Sequence, residues 1–222
     1  MLNNMKIRLL SILLGLLTIL STLASNKPTP VYSVGTITLN NGTQLNGELN
    51  YNWKAEIVQL HVNGTVKAYS AHQINNFAYF DNQTNSLRQF SAVDYPMRKG
   101  FIRPIFMEEF SRGTLTVYRR LRHAREPFKL DKPAAYGSNS QITQDYDNFT
   151  YLVYHDEQFT DMDTFTRDIW PQMEREFGQE LKQYAAVRQL DHTSTPARLM
   201  LINQYNYLKA DAGRSPSTGV GE

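Results

Sequence analysis

Between residues 34 and 93 apolar side chains recur mostly at every second position, in short runs broken by Asn- and Gly-rich punctuation. A period of two sends alternate residues to opposite sides of an extended chain, so each run buries one face and wets the other. Val34, Ile37 and Leu39 mark the first run, and Leu45, Leu49 and Tyr51 mark the second. Asn40-Asn41-Gly42 between them tolerates the positive φ of a tight hairpin, which makes the two strands antiparallel. Runs at 56–62, 66–71, 74–81 and 87–93 repeat the pattern, the first two joined by Asn63-Gly64-Thr65. Strands at this spacing predict a meander that curls into a small barrel or sandwich. Residues 101–110 lead through Gly113 into 114–121 as a further strand pair or as a strand following one turn of helix, and 149–155 reads as one more strand.

After Asp156 the apolar period lengthens towards 3.6 residues. Asp161 or Asp163 can cap a helix through Phe165, Ile169, Met173 and Phe177, with Pro171 expected to break or kink it and Gly178 separating it from 179–190. Thr195-Pro196 reads as an N-cap followed by proline, opening a last helix through Leu199, Ile202, Tyr205 and Leu208. The polar stretch 122–148, with Pro127, Pro133 and Gly137, has no sustained period and reads as a long exposed loop. The fold class is therefore α+β: a signal peptide at 1–24, a tether at 25–33, a β-rich barrel or sandwich at 34–155, a helical portion at 156–210 and a disordered tail at 211–222.

The assignment of the first 24 residues follows from Lys6 and Arg8 standing before the apolar run 9–23, with small side chains up to Ala24. That run is shorter than the roughly 20 residues a membrane-spanning helix needs. An export signal cleaved after Ala24 is the expectation, leaving no transmembrane span. The 222-residue chain has no cysteine, which excludes disulfides, thiolate metal sites and a lipid-modified cysteine, and points to a bacterial envelope, periplasmic or secreted. Without Lys6 and Arg8 the 23 basic residues fall to 21, equal to the 21 acidic ones. A nucleic-acid partner, which normally demands a basic excess, is not expected.

The stretches "GTITLNNGTQLNGELNYNW", "VKAYSAHQINNFAYFD", "LRQF", "MEEFSRGTLTVYRR" and a terminal "YNYL" together resemble a family of uncharacterised exported proteins from Bacteroidota. The resemblance spans residues 35–208 and implies source and compartment, with no activity, cofactor or site residue attached to it.

Chemistry-bearing patterns are sparse. The five histidines show no metal-ligand spacing, and neither a nucleophile elbow nor a phosphate-binding glycine loop occurs, so no catalytic residue, metal or cofactor is assigned. The strongest local feature is the basic-aromatic cluster at 118–129, from which Tyr118, Arg119, Arg120, Arg122 and Arg125 are taken as a binding patch. Arginine forks suit carboxylate or phosphate groups, and a neighbouring ring can stack on sugar. The function expected is a non-enzymatic, envelope-associated binding protein, its partner an envelope protein or an anionic glycan or glycolipid. The competing reading is a hydrolase of envelope or environmental polymers using Glu109, Asp147 or His155 as acid or base. A carbohydrate platform of Tyr51, Trp53, Tyr69, Phe77, Tyr79 and Phe80 is weighed against core filling, and core filling is preferred.

Overall fold

The first hairpin forms where Asn41-Gly42 allows it: Gly42 adopts φ 84°, and its N–H donates to the Leu39 carbonyl at 2.9 Å. This turn joins β1 (Ser33–Leu39) to β2 (Gln44–Asn52). The chain continues as β3 (Ile57–Val62), β4 (Thr65–Ser70), β5 (Ile74–Asp81), β6 (Ser86–Pro96), β7 (Ile102–Ser111) and β8 (Thr116–Leu121). After a short helix α1 (Asn139–Gln144) come β9 (Phe149–His155), β10 (Gln158–Asp161) and the helices α2 (Trp170–Arg188) and α3 (Thr195–Ala212). The computed structural model describes residues 31–96, 100–122 and 139–214. The stretch read as a signal peptide, most of the stretch read as a tether, Arg125 and the residues beyond Arg214 lie outside the described residues.

The ten strands form one antiparallel sheet in the order β10-β9-β8-β7-β6-β5-β1-β2-β3-β4. The α+β class holds, but the expected small barrel or sandwich is corrected to a single sheet that does not close. The reason is the growth of the second meander: β5 turns back to pair with β1, and β6 to β10 then extend the sheet outwards.

The inner half nonetheless curls strongly. Only residues 71–73 connect β4 to β5, whereas four inter-strand steps separate those strands in the sheet. Laid flat, the steps would span about 19 Å, and the connection reaches only about 14 Å. The bend is made possible by Gly35 and Gly47, which face each other across β1 and β2. A Cβ on Gly47 would stand 2.6 Å from Val62 Cγ2, and one on Gly35 would stand 2.7 Å from Leu49 Cδ1. Side chains of the neighbouring strand fold over the space the two glycines leave free.

The inside of the curl is aromatic. Tyr51, Trp53, Phe77, Phe90, Phe106 and Phe149 are buried together, with Phe77 and Phe90 stacked at 4.4 Å and Trp53 edge-on to Phe149 at 5.2 Å. The preferred core role of Tyr51, Trp53 and Phe77 follows from this packing, and Phe80 points outwards and is exposed. Leu181 and Ala185 of α2 and Leu199, Leu201, Ile202 and Tyr205 of α3 join the same core. Each such large side chain contributes on the order of 1.5–3 kcal/mol when fully buried.

Two local expectations are corrected and one is borne out. Ser194, not Thr195, caps α3, accepting from the Ala197 N–H at 3.4 Å, with Pro196 in the first turn where an N–H is dispensable. Pro171 interrupts the helix as expected: a π-helical turn at Phe165–Ile169 ends just before it and α2 opens with it in the first turn, and a second break falls at Phe177 (φ −139°, ψ 36°), beside Gly178. Residues 139–148 are not all irregular, since α1 and a 3-10 turn at Tyr146–Asn148 lie within them. Among the described residues no helix is long and apolar enough to cross a membrane.

Candidate ligand-binding face

Alternation along β8 divides the arginine cluster between the two faces of the sheet. Val117, Arg119 and Leu121 point into the core, and Thr116, Tyr118 and Arg120 point to the other side. Arg119 is only 4 % exposed, so the continuous surface patch drawn from sequence is corrected at this residue. Its Nε donates to Glu108 Oε2 at 2.5 Å, and the other oxygen of Glu108 accepts from Arg88 at 2.9 Å. Arg88 also donates to Asp81 at 2.6 Å, which makes a quartet of two positive and two negative groups. The Arg119 guanidinium lies 4.3 Å from the Phe149 ring and 4.5 Å from that of Phe110. Burial works against the Arg88 charge, yet Glu108, with Asp81, holds its pKa above the ordinary value. The quartet is balanced, internally paired and part of the core, which suits holding the β5–β8 register rather than contacting a ligand.

Arg120 stands in a different setting. Its guanidinium is half-buried and stacks 4.8 Å over the ring of Tyr95, and it has no carboxylate partner among the described residues. Tyr118, on the same face, meets Tyr154 at 6.2 Å and Phe159 at 5.7 Å, and these two rings lie 4.9 Å apart. Burial, with Glu109 nearby, pushes the Tyr118 phenol up, so it remains a neutral hydrogen-bond donor at physiological pH. Beneath this surface Ile105, Met107 and Leu152 are buried, packed against Val93, Tyr95 and Tyr118. The outer face thus carries an aromatic strip running to the β10 edge and one stacked cation beside it.

Arg122 is exposed and reaches the Phe149 carbonyl at 3.4 Å, at the end of β8. Of the five residues chosen from sequence, Tyr118 and Arg120 therefore share a face, Arg122 borders it, Arg119 is internal and Arg125 is outside the described residues. Sequence reasoning missed Tyr95, Tyr154 and Phe159. Tyr154 sits at an alternating position of the strand at 149–155, where an outward ring was inferable, but Tyr95 lies beyond the run at 87–93, because β6 extends to Pro96, and Phe159 belongs to a strand with no turn signal before it.

The acid–base candidates do not gather. Glu109 is on the outer face, held by Arg112 at 2.7 Å. His155 follows Tyr151 and Val153 on the core face, where its Nδ1 is 3.2 Å from Asp156 and its Nε2 is 3.3 Å from the Gln172 amide nitrogen. Asp147 precedes β9, and His155 ends it, so the length of that strand, about 20 Å, lies between them. Among the described residues no group of three or more His, Asp or Glu side chains is placed to hold a metal ion. No family profile matches the chain, and neither a curated protein nor a solved structure matches it.

Proposed function

We propose that the chain is an exported, non-enzymatic binding protein of the cell envelope that holds an anionic glycan or the sugar of an anionic glycolipid against the outer face of its sheet. The observation that carries this reading is Arg120, half-buried, fixed by stacking on Tyr95, free of a carboxylate partner among the described residues and adjacent to the Tyr118–Tyr154–Phe159 strip. A stacked guanidinium loses little conformational freedom on meeting a carboxylate or phosphate, and flat rings beside it offer apolar area to a sugar ring. Export rests on the charged and apolar leader and on the absence of cysteine. The hydrolytic alternative calls for two carboxyl groups about 5–9.5 Å apart, and Glu109, Asp147 and His155 are distributed over two faces and two strand ends.

The test is affinity electrophoresis of residues 25–222 through gels containing polygalacturonate or neutral dextran. Retardation by the anionic polymer alone, lost in Arg120→Ala and reduced in Tyr118→Ala, is the expected result. Equal mobility in both gels for the unmodified chain refutes the assignment. N-terminal sequencing of the protein recovered from its host's envelope is expected to begin at Ser25.

A further inference from the structure

On the opposite side of the sheet, a recess of about 300 Å³ opens where the β4–β5 turn folds back onto the end of β1. Asn40, His72, Asn75 and Asp94 surround it. Its apolar lining is small: Ala71, Ala92 and Pro104. Ala92 and Asp94 continue the face of β6 that carries Phe90, and Pro104 continues the face of β7 that carries Phe106. The recess is therefore separate from the outer face, and a ligand held in it is independent of one held on that face.

The frame of the recess is fixed by backbone. Asn40 donates its N–H to the Gln73 carbonyl at 3.2 Å and its side-chain amide to the His72 carbonyl at 2.8 Å. Gln73 closes the turn by donating to the Ser70 carbonyl at 3.0 Å and accepting from the Ser70 N–H at 2.9 Å. Within that frame the His72 imidazole, the Asn75 carboxamide, the Asp94 carboxylate and the Asn40 side-chain oxygen make no hydrogen bond among the described residues. All four of these residues are exposed, so the recess is open to water and its polar groups are available to a ligand's hydroxyls, in a space at the lower end of the size range of ligand sites.

We propose that this recess binds a single neutral sugar ring through its hydroxyl groups. Hydroxyls both donate and accept, which matches a wall that mixes a carboxylate, two carboxamides and an imidazole. Asp94, the only formal charge in the lining, opposes an anionic ligand. The volume exceeds what a bare ammonium group fills, and the small residues Ala71 and Ala92 leave room for the carbon face of a ring.

The experiment is an NMR titration of isotopically labelled residues 25–222 with the methyl glycosides of glucose, galactose, mannose and N-acetylglucosamine, and with methylammonium as a control. The expected result is a saturable shift confined to Asn40, His72, Asn75 and Asp94 with at least one glycoside below about 100 mM, as a few hydrogen bonds allow. Asp94→Ala should weaken that binding about tenfold, the size of one charge-assisted hydrogen bond. Ala92→Leu, which fills the recess, should abolish it, while dispersed backbone resonances report that each variant is folded. No saturable shift with any glycoside, shifts unaffected by both substitutions, or saturation by methylammonium in place of the sugars would overturn the proposal. The polygalacturonate assay reads the outer face, so either proposal can fail alone.

Discussion

Asn206 on α3 performs a task normally left to a neighbouring strand. Its side-chain oxygen accepts from the Leu115 N–H at 2.8 Å, and its nitrogen donates to the Leu115 carbonyl at 2.8 Å. Gly113 makes the approach possible, because a Cβ there would overlap the Asn206 side chain. One turn earlier on the same helix face, Asn203 accepts from the Ser111 hydroxyl, so α3 grips the β7–β8 connection at two points. Asn206→Ala leaves both backbone groups of the buried Leu115 without partners. Each orphaned group costs about 1–3 kcal/mol. Since the clamp is only partly buried, water can recover some of that loss, and the pair is expected to cost about 3 kcal/mol. At about 2–4 °C per kcal/mol for an ordered unit of this size, the Tm should fall by about 6–12 °C. Asn206→Asp separates this account from a simple loss of packing. The aspartate keeps the shape and the acceptor but presents a second oxygen to the Leu115 carbonyl, so it must destabilise at least as much as alanine. Urea unfolding followed by circular dichroism measures both. A loss below about 0.5 kcal/mol for the two variants, or an aspartate variant as stable as the parent, refutes the clamp.

Further expectations come from the buried charges and hydroxyls. Glu108→Gln deprives Arg88 and Arg119 of their shared carboxylate and should cost about 3–5 kcal/mol in urea unfolding, because Arg119 loses its carboxylate partner in the core and Arg88 keeps only Asp81. Tyr151→Phe should be neutral or stabilising by up to about 1 kcal/mol in the same assay, since the Tyr151 hydroxyl is buried without a well-formed hydrogen bond although the Arg119 charge lies near it. A clear loss would show that the hydroxyl is satisfied in solution. The Lys209 ammonium, hydrogen-bonded to Glu176, holds that carboxyl below its ordinary pKa of 4.5. A carboxyl depressed in the folded state contributes stability above its unfolded pKa and loses it as pH falls through the folded value. The Tm of the parent should therefore drop more steeply below pH 4.5 than that of Lys209→Met. Burial, then the bond to Glu176, pushes Tyr205 up to about 12, so its stabilising effect is present below pH 10 and fades as pH rises towards 12, which ultraviolet titration of the phenol can follow.

Much of the strand pattern was readable because turns and alternation agree. The strands at 74–81 and 149–155 have the boundaries that their apolar period predicts. The missing strand, β10, follows Asp156-Glu157, which takes φ of 49° and 61° without a glycine or asparagine to signal a two-residue turn. The open sheet was hidden for a different reason. Whether ten strands close depends on the β5-to-β1 pairing and on where the second meander leads, and neither leaves a local mark in sequence. The site was half legible: alternation alone assigns Arg119 and Arg120 to opposite faces, but only the spatial meeting with Glu108 and Arg88 explains why an arginine is accepted inside. Asn203 and Asn206 looked like ordinary polar positions of a helix, because their partners are groups about 90 residues away.

The central claim, an anionic-sugar surface on the outer sheet face, is tested most directly by mapping amide and ring shifts of labelled residues 25–222 during titration with oligogalacturonate. Saturable changes at Tyr95, Tyr118, Arg120, Tyr154 and Phe159, with α2 and α3 unmoved, are the predicted result. Changes centred on the helices, or none at any of these five residues, would contradict it.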